Sequence, residues 1–173
     1  MARYLELRRH TDSDGDVLSE DGVRAALEIG GRLTGPYALL VSSGAQRATQ
    51  TLGCFACALT DAVSGGVIVE TGLRSEVEAR WRAAYQAAGS GELSALREAD
   101  PELVREDSER LAGGLRRVLD RLADEGRALA VGHSPTNEAA VFWLTSELVA
   151  PISKGAGVLV VAEANRFRVE RLS

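Results

Sequence analysis

The sequence predicts an α/β protein, built as a three-layer α/β/α sandwich around a mostly parallel central sheet. Short apolar runs alternate with longer segments whose apolar residues recur at helical spacing, which is typical of parallel sheets covered on both faces. The two histidines of the chain, His10 and His133, each follow an apolar run and precede a helix-start signal. Because ligands bind at the carboxyl ends of the strands in such sheets, both histidines are candidates for one site.

The first half of the chain alternates strand and helix. Residues 3–9 alternate apolar and charged side chains, which indicates a half-buried strand. Ser19 is a favourable N-cap followed by two acidic residues, and Gly35-Pro36 ends the helix that begins there. The apolar positions expected to be buried in this helix are Val23, Ala26, Leu27, Gly30 and Leu33. Three further elements continue the alternation: a strand over 37–41, a helix over 45–60 and a strand over 67–70.

The second half contains the segment that the sequence determines least, residues 71–100, which we expect to form short helices over the carboxyl edge of the sheet. A long helix begins at Asp100-Pro101, since proline fits the first helical position. Its predicted buried stripe comprises Val104, Leu111, Leu115, Val118, Leu119 and Leu122. The remaining elements are a strand over 127–131, a helix over 135–149 and a closing edge hairpin over 158–163 and 167–172.

Composition favours a cytoplasmic enzyme or binding domain. A length of 173 residues with 45% hydrophobic residues fits one domain over 1–173, with about 71–100 inserted over the site. The net charge of -5 offers no basic surface for nucleic acid or an anionic membrane, and no apolar run approaches the ~20 residues of a membrane span. Met1-Ala2-Arg3-Tyr4 shows no signal-peptide pattern. No feature predicts an oligomeric state.

Cys54 and Cys57 form a C-x-x-C pair inside the predicted helix over 45–60. A redox site of this type lies at a helix start after a strand, and a zinc site needs two further ligands. We therefore expect buried structural thiols, with neither a metal nor a cofactor in the protein.

Positively charged and imidazole side chains follow the predicted strands. Arg9 and His10 follow the first strand, Arg47 follows the second, and His133 follows the strand over 127–131. Guanidinium groups offer paired donors that match phosphate oxygens, and a neutral imidazole can attack phosphorus. Ser134-Pro135 opens a helix, whose free N–H groups favour an anion. The pattern predicts phosphoryl transfer on a histidine, without a metal.

Three segments in order resemble the motifs of the histidine phosphatase superfamily, which has the phosphoglycerate mutase-like fold. They are Arg9-His10, the segment from Ser42 to Thr51 with the sequence SSGAQRATQT, and Gly132-His133. The family's motifs are Arg-His-Gly after the first strand, a Ser-Ser or Ser-Asp loop followed by Arg-Ala-x-Gln-Thr, and a strand ending in histidine. The resemblance covers nearly the whole chain, and the small size is similar to that of the short phosphatases of the family.

The resemblance implies a role for each matching residue. His10 would be the nucleophile that becomes phosphohistidine, while Arg9, Arg47 and His133 would hold the phosphoryl oxygens and stabilise the charge of the transition state. The proton donor of the family is a glutamate after the third strand, in a Leu-Arg-Glu context. Leu73-Arg74-Ser75-Glu76 is one residue out of step, so we predict Glu76 as the catalytic donor and keep Glu78 as its alternative.

Further positions near these motifs are predicted to contact the substrate. Thr11 replaces the motif glycine, and its hydroxyl could donate to the phosphate. Ser134 stands where the acid-phosphatase branch has aspartate, which argues against that branch. The predicted substrate-binding residues are Thr11, Ser134 and Glu78. Trp81 is interpreted as a packing residue in a segment that could line the site mouth, and any of Arg74, Arg80 and Arg82 could contact the substrate there.

The loop after the first motif carries Asp12, Asp14 and Asp16. It is either a solvated turn or a cluster of carboxylates that favours a cationic leaving group. An EF-hand calcium loop is excluded, because Val17 and Val23 occupy the positions that need glycine and glutamate.

Two classes of function follow. The leading hypothesis is a metal-independent phosphatase that hydrolyses a small-molecule phosphate ester, or a phosphohistidine protein, through phosphorylated His10. The alternative is a regulatory phosphate-binding module that has lost the chemistry. A phosphoglycerate-type mutase is a third possibility.

Overall fold

A six-stranded sheet forms the centre of the computed structural model, which describes residues 1–172. Its strands are β1 (Ala2–Arg9), β4 (Leu39–Ser42), β5 (Val67–Val69), β6 (Arg127–Gly132), β7 (Gly157–Glu163) and β8 (Arg166–Arg171). Their order is β5-β4-β6-β1-β7-β8. The first four of these run parallel, whereas β7 and β8 form the predicted antiparallel hairpin at one edge. The short strands β2 (Ser13–Asp14) and β3 (Val17–Leu18) form a separate hairpin that the sequence did not predict.

Helices cover both faces of the sheet. They are α1 (Glu20–Gly30), α2 (Gln46–Cys57), α3 (Glu78–Ala88), α4 (Leu93–Ala99), α5 (Pro101–Asp120) and α6 (Thr136–Thr145). Ala128 and Ala130 of β6 pack with α5 and α6, while Leu129 and Val131 pack with α1 and α2. This alternation follows from the two-residue period of a strand, and it confirms the predicted three-layer arrangement.

Segment 71–99 contains short helices, as predicted. A 3-10 turn over Thr71–Leu73 precedes α3 and α4, and these two helices share an apolar cluster with α5 that includes Trp81 and Leu96. The start of α5 is also as predicted, because Asp100 caps it by accepting the N–H of Leu103 and proline follows.

Two residues predicted to be buried in α1 are exposed. Val23 is 37% and Leu27 46% exposed. The helix instead buries the small residues Gly22, Ala26 and Gly30, and a Cβ on Gly30 would lie only 3.0 Å from the Cα of Phe55 in α2. The close approach of the two helices therefore selects the glycine–alanine stripe and turns the larger side chains outward.

The prediction of buried thiols at Cys54 and Cys57 is wrong for Cys57, which is exposed, and Cys54 is only partly buried. The buried face of α2 comprises Ala48, Thr51, Leu52 and Phe55. Both cysteines lie off that face. Within residues 1–172, no group of three or more His, Cys, Asp or Glu side chains could hold a metal ion, and no helix has the length and apolarity that a membrane span requires.

Candidate active site

The carboxyl ends of three neighbouring parallel strands bring the predicted motifs together. β1 and β4 both pair with β6, so the residues that follow these strands lie at one edge of the sheet. His10 after β1 and His133 after β6 have ring centroids 5.3 Å apart. Both side chains are buried, with exposures of 8% and 7%. The structure thus brings the two histidines into one site.

The hydrogen bond of His10 determines its tautomer. Nδ1 lies 2.7 Å from the carbonyl oxygen of Thr11. A carbonyl only accepts, so Nδ1 carries the proton and the neutral ring keeps its lone pair on Nε2. Burial lowers the pKa of His10, and the positive charges of Arg47 and Arg9 lower it further against the opposing effect of the Thr11 hydrogen bond. The neutral form that a nucleophile requires is therefore favoured.

His133 is also neutral, and its hydrogen bonding leaves one ring nitrogen without a partner. Burial, together with the charge of Arg47, lowers its pKa to about 3. Nε2 lies 2.7 Å from the Ser43 hydroxyl, which also accepts the N–H of Ala45 at 3.3 Å. Nδ1 is buried and has no hydrogen-bond partner within residues 1–172. In the tautomer in which Ser43 donates to Nε2, Nδ1 carries the ring proton and can donate it to an oxyanion.

Two arginines lie near the histidines. Arg47, in the first turn of α2, donates from Nη1 to Asp16 at 2.7 Å and has Nη2 3.5 Å from Glu78. Arg9 donates from Nη1 to the carbonyl of Ile152 at 3.0 Å, and its Nε is buried without a partner in the part of the chain described. Both arginines therefore keep donor groups that a phosphoryl oxygen could take.

Lys154 supplies a further cation that the sequence reasoning missed. Its ammonium is paired with Asp12, and its positive charge is among those that lower the pKa of His10. The next residue, Gly155, donates its N–H to the carbonyls of Arg9 at 3.0 Å and His10 at 3.3 Å, which fixes this turn to the loop that carries His10. One signal was present: Lys154 is the only lysine in a chain with nineteen arginines.

Glu78, not Glu76, lies beside the predicted phosphate-binding residues. Glu78, the first residue of α3, lies 2.8 Å from Arg74 and 3.5 Å from Arg47, and it lines the same cleft as His133. Glu76 is 83% exposed, and its carboxylate lies 3.6 Å from Arg110 of α5. The structure therefore brings Glu78, and not Glu76, together with the other predicted catalytic residues.

The Thr11 hydroxyl, predicted to contact the phosphate, is bound within the fold. Thr11 is 1% exposed, and its hydroxyl donates to the carbonyl of Gly22 at 2.8 Å. Its backbone N–H donates to the Thr51 hydroxyl at 3.2 Å. A Cβ on Gly22 would collide with the backbone of Asp12, so the absence of a side chain there lets α1 begin directly against this loop. Thr11 joins the loop after β1 to α1 and α2.

Ser134 lines the cleft, but its hydroxyl is bound to a buried carboxyl group. It donates to Oε1 of Glu138 at 2.5 Å, and the same oxygen accepts the N–H of Ile152 at 2.8 Å. Burial raises the pKa of Glu138, although the hydrogen bond from Ser134 opposes this. Arg9 donates to the carbonyl of Ile152, so Glu138 links Ser134 to the backbone that holds Arg9. No sequence pattern pointed to Glu138.

The acidic loop is largely compensated by positive partners. Asp12 pairs with Lys154 and accepts the Ser19 hydroxyl at 2.6 Å. Asp16 binds the Arg47 guanidinium and lies 3.3 Å from the first N–H groups of α2, whose N-cap residue offers no side-chain bond. Of the three carboxylates, only Asp14 is therefore left without a positive partner among the described residues. The hypothesis that this loop favours a cationic leaving group stays a prediction.

A cleft of ≈ 240 Å³ opens beside the two histidines. Residues from α2, α3 and the loop after β6 line it, among them Arg47, Glu78, Trp81, Tyr85, His133 and Pro135. It combines cationic and carboxylate groups with aromatic side chains. Trp81 is 3% exposed and packs in the apolar cluster that α3 and α4 share with α5, as its first interpretation held, and it also lines the cleft.

Comparison with known proteins identifies the fold. No protein-family model and no curated protein matches the chain. Solved structures match over nearly its whole length. A phosphoglycerate mutase from Bacillus anthracis aligns with a TM-score of 0.74 and 19% identity, covering 99% of this chain and 92% of the other.

Two phosphatases of known structure also align with nearly the whole chain. A phosphoserine phosphatase from Entamoeba histolytica aligns with a TM-score of 0.71 and 15% identity, covering 96% of this chain and 94% of its own. The protein histidine phosphatase SixA aligns with a TM-score of 0.60 and 17% identity, covering 98% and 94%. The chain has the phosphoglycerate mutase-like fold that its motifs implied, and phosphatases and mutases are both found among its structural neighbours.

Proposed function

We propose that the protein is a metal-independent phosphatase that hydrolyses a phosphomonoester, or a phosphohistidine, through a phosphohistidine intermediate on His10. The observation that carries the proposal is the hydrogen bond from Nδ1 of His10 to the Thr11 carbonyl. It leaves a lone pair on Nε2 of a buried neutral ring, whose centroid lies 5.3 Å from that of a second imidazole with an unpartnered buried nitrogen. The phosphatases among the structural neighbours support the same reading.

In the first step, Nε2 of His10 attacks phosphorus. The new N–P bond forms while the bond from phosphorus to the leaving atom breaks, and that atom takes a proton from Glu78 in its carboxylic acid form. The leaving atom is the ester oxygen of a phosphomonoester or the ring nitrogen of a phosphohistidine. Glu78 lies 3.5 Å from Arg47, so it is within reach of a phosphoryl group held by that guanidinium. This proximity is the reason to assign it the role first given to Glu76.

Cationic and neutral donors would stabilise the charge on the phosphoryl oxygens. Arg47 and Arg9 offer guanidinium donors, and the buried Nδ1 of His133 would donate in the tautomer in which it carries the ring proton. Donors fixed in a buried site before the reaction are worth more than the same groups in water. To bind the phosphoryl group, Arg47 must release Asp16. This exchange is favoured because an incoming phosphate dianion binds a guanidinium more strongly than a single carboxylate does.

In the second step, water attacks the phosphorylated His10. Glu78, now ionised, accepts a proton from that water, the N–P bond breaks, and inorganic phosphate leaves. The partner is therefore a small-molecule ester or a phosphohistidine protein. A mutase would instead return the phosphoryl group to a second position of a substrate retained in the site.

Trapping the intermediate separates a phosphatase from a phosphate-binding module. Wild-type protein, His10→Asn and His133→Asn are incubated with p-nitrophenyl phosphate in EDTA, quenched in alkali and analysed for phosphohistidine by mass spectrometry. We expect turnover and a label on residue 10 in the wild type, loss of both in His10→Asn, and a label that survives with slowed formation in His133→Asn. Phosphate binding without turnover or label would instead identify a binding module.

A further inference from the structure

We propose that the cleft beside His133 binds an aromatic or otherwise flat apolar leaving group, so that the substrate is a small-molecule phosphomonoester of such an alcohol. The inference rests on the proposed phosphatase function and deepens it by naming a substrate class. It is carried by the aromatic side of the cleft, formed by Trp81 and Tyr85 of α3.

The direction of the displacement places the leaving group in this cleft. In an in-line displacement the leaving oxygen departs on the side of phosphorus opposite to the attacking nitrogen. The donor assigned to that oxygen, Glu78, lines the cleft together with Arg47 and His133, which would hold the phosphoryl group. The rest of the leaving alcohol must therefore extend along the same walls.

Those walls combine a fixed and buried ring, Trp81 at 3% exposure, with the uncovered ring of Tyr85. Trp81 and Tyr85 are four residues apart on α3 and so lie on one side of it. The Trp81 ring is held by a hydrogen bond from Nε1 to Asp107 at 2.6 Å, and Asp107 also accepts the Ser75 hydroxyl at 2.7 Å. Tyr85 is 53% exposed, and Pro135 adds a further apolar side chain. A ring lying on this surface would remove apolar area from water on both partners.

The size of the cleft favours one ring over a large group. Its volume of ≈ 240 Å³ lies below the usual range for drug-sized ligands, so it suits a small molecule. The Glu78 carboxylate is compensated by Arg47 and Arg74, whereas Arg82, which also lines the cleft, forms no ion pair within residues 1–172.

The test compares two substrates whose leaving alcohols have similar acidity but differ in one ring: benzyl phosphate and 2-methoxyethyl phosphate. Each is assayed by phosphate release with wild type, Tyr85→Ala, Tyr85→Phe and the exposed control Gln86→Ala. We expect kcat/KM to be about tenfold higher for benzyl phosphate, from the usual strength of an aromatic contact. Tyr85→Ala should remove most of this preference, while the other two variants retain it.

Several results would overturn the inference. Equal kcat/KM for the two substrates, an equal loss on both in Tyr85→Ala, or faster turnover of a phosphohistidine peptide than of benzyl phosphate would each do so while leaving the phosphatase function intact. If neither ester is turned over, the affinities of benzylphosphonate and 2-methoxyethylphosphonate, measured by calorimetry, decide the question. Tighter binding of the ring compound, lost in Tyr85→Ala, supports the cleft, and equal binding rejects it.

Discussion

The replacement of Glu78 by glutamine separates two carboxyl groups that stand two residues apart in the chain. Glutamine keeps the size and the hydrogen-bonding oxygen of Glu78 but cannot release a proton to the leaving oxygen. The matched variant is Glu76→Gln, at a side chain that is 83% exposed and directed to Arg110. The two substitutions remove the same charge from the same segment, so they differ only in position relative to the cleft.

The expected magnitudes follow from these positions. General acid catalysis contributes ~10²–10⁴-fold to a rate, so kcat for benzyl phosphate should fall by about a hundredfold or more in Glu78→Gln. For p-nitrophenyl phosphate, the loss of kcat should be well below a hundredfold, because nitrophenolate leaves without full protonation. Because Glu78 also pairs with Arg47 and Arg74, its removal frees both guanidinium groups, and KM should stay the same or fall. Glu76→Gln should change kcat by less than about twofold, as is usual for exposed substitutions.

The assay is steady-state phosphate release on both substrates for the wild type and the two variants, with thermal unfolding as a check on folding. A large loss in Glu76→Gln with a near-normal Glu78→Gln would refute the assignment and restore Glu76. An equal loss on benzyl and p-nitrophenyl phosphate in Glu78→Gln would show that this residue acts on binding or folding and not as the proton donor.

Three further predictions concern the surroundings of the site and the core. In Lys154→Met, loss of a positive charge raises the pKa of His10, so the acid limb of the pH profile of kcat/KM should move to higher pH. Lys154→Arg keeps the charge and should keep the wild-type acid limb. An unmoved acid limb in Lys154→Met would exclude this electrostatic role. Glu6 is 2% exposed. Burial raises its pKa, but hydrogen bonds from Tyr37, Arg8 and Arg127 outweigh burial and lower the pKa overall. Glu6→Gln should therefore cost ~3–5 kcal/mol of unfolding free energy in urea at pH 7. The stabilisation from a lowered carboxyl pKa is complete above the unfolded pKa and is lost as the pH falls through the folded pKa. This difference between wild type and variant should therefore shrink on acidification, and a constant difference would contradict the argument. Cys57 is exposed, while burial raises the pKa of Cys54, so a thiol reagent should label Cys57 first in the native protein; simultaneous labelling would argue against that order.

Local sequence patterns predicted most of the fold, because helix caps and apolar runs act on the residues next to them in the chain. Ser19 caps α1, Asp100-Pro101 begins α5, and the apolar runs before His10 and His133 form adjacent parallel strands. Once two strands are parallel neighbours, the residues after them must meet at one edge, so the pairing of the two histidines could be predicted without coordinates. The structural comparisons confirm the fold that the motifs implied.

Where the sequence erred, a contact with a distant element decided the outcome. Val23 and Leu27 are exposed because α2 packs against the small residues of α1, and a period of 3.6 residues does not say which side of a helix meets its neighbour. The Thr11 hydroxyl binds Gly22 because α1 begins against its loop. These choices depend on packing between elements, which no local pattern contains.

The sequence by itself determined the sheet, the order of its helices and the edge at which Arg9, His10, Arg47 and His133 would collect. Only the tertiary structure decided which carboxyl group lies beside them. Glu76 and Glu78 carry the same chemistry two residues apart, and their difference arises because α3 begins at Glu78 beside two arginines while Glu76 lies toward α5. Residue type and spacing are local properties, whereas the direction of a side chain is set by the partners that the folded chain brings to it.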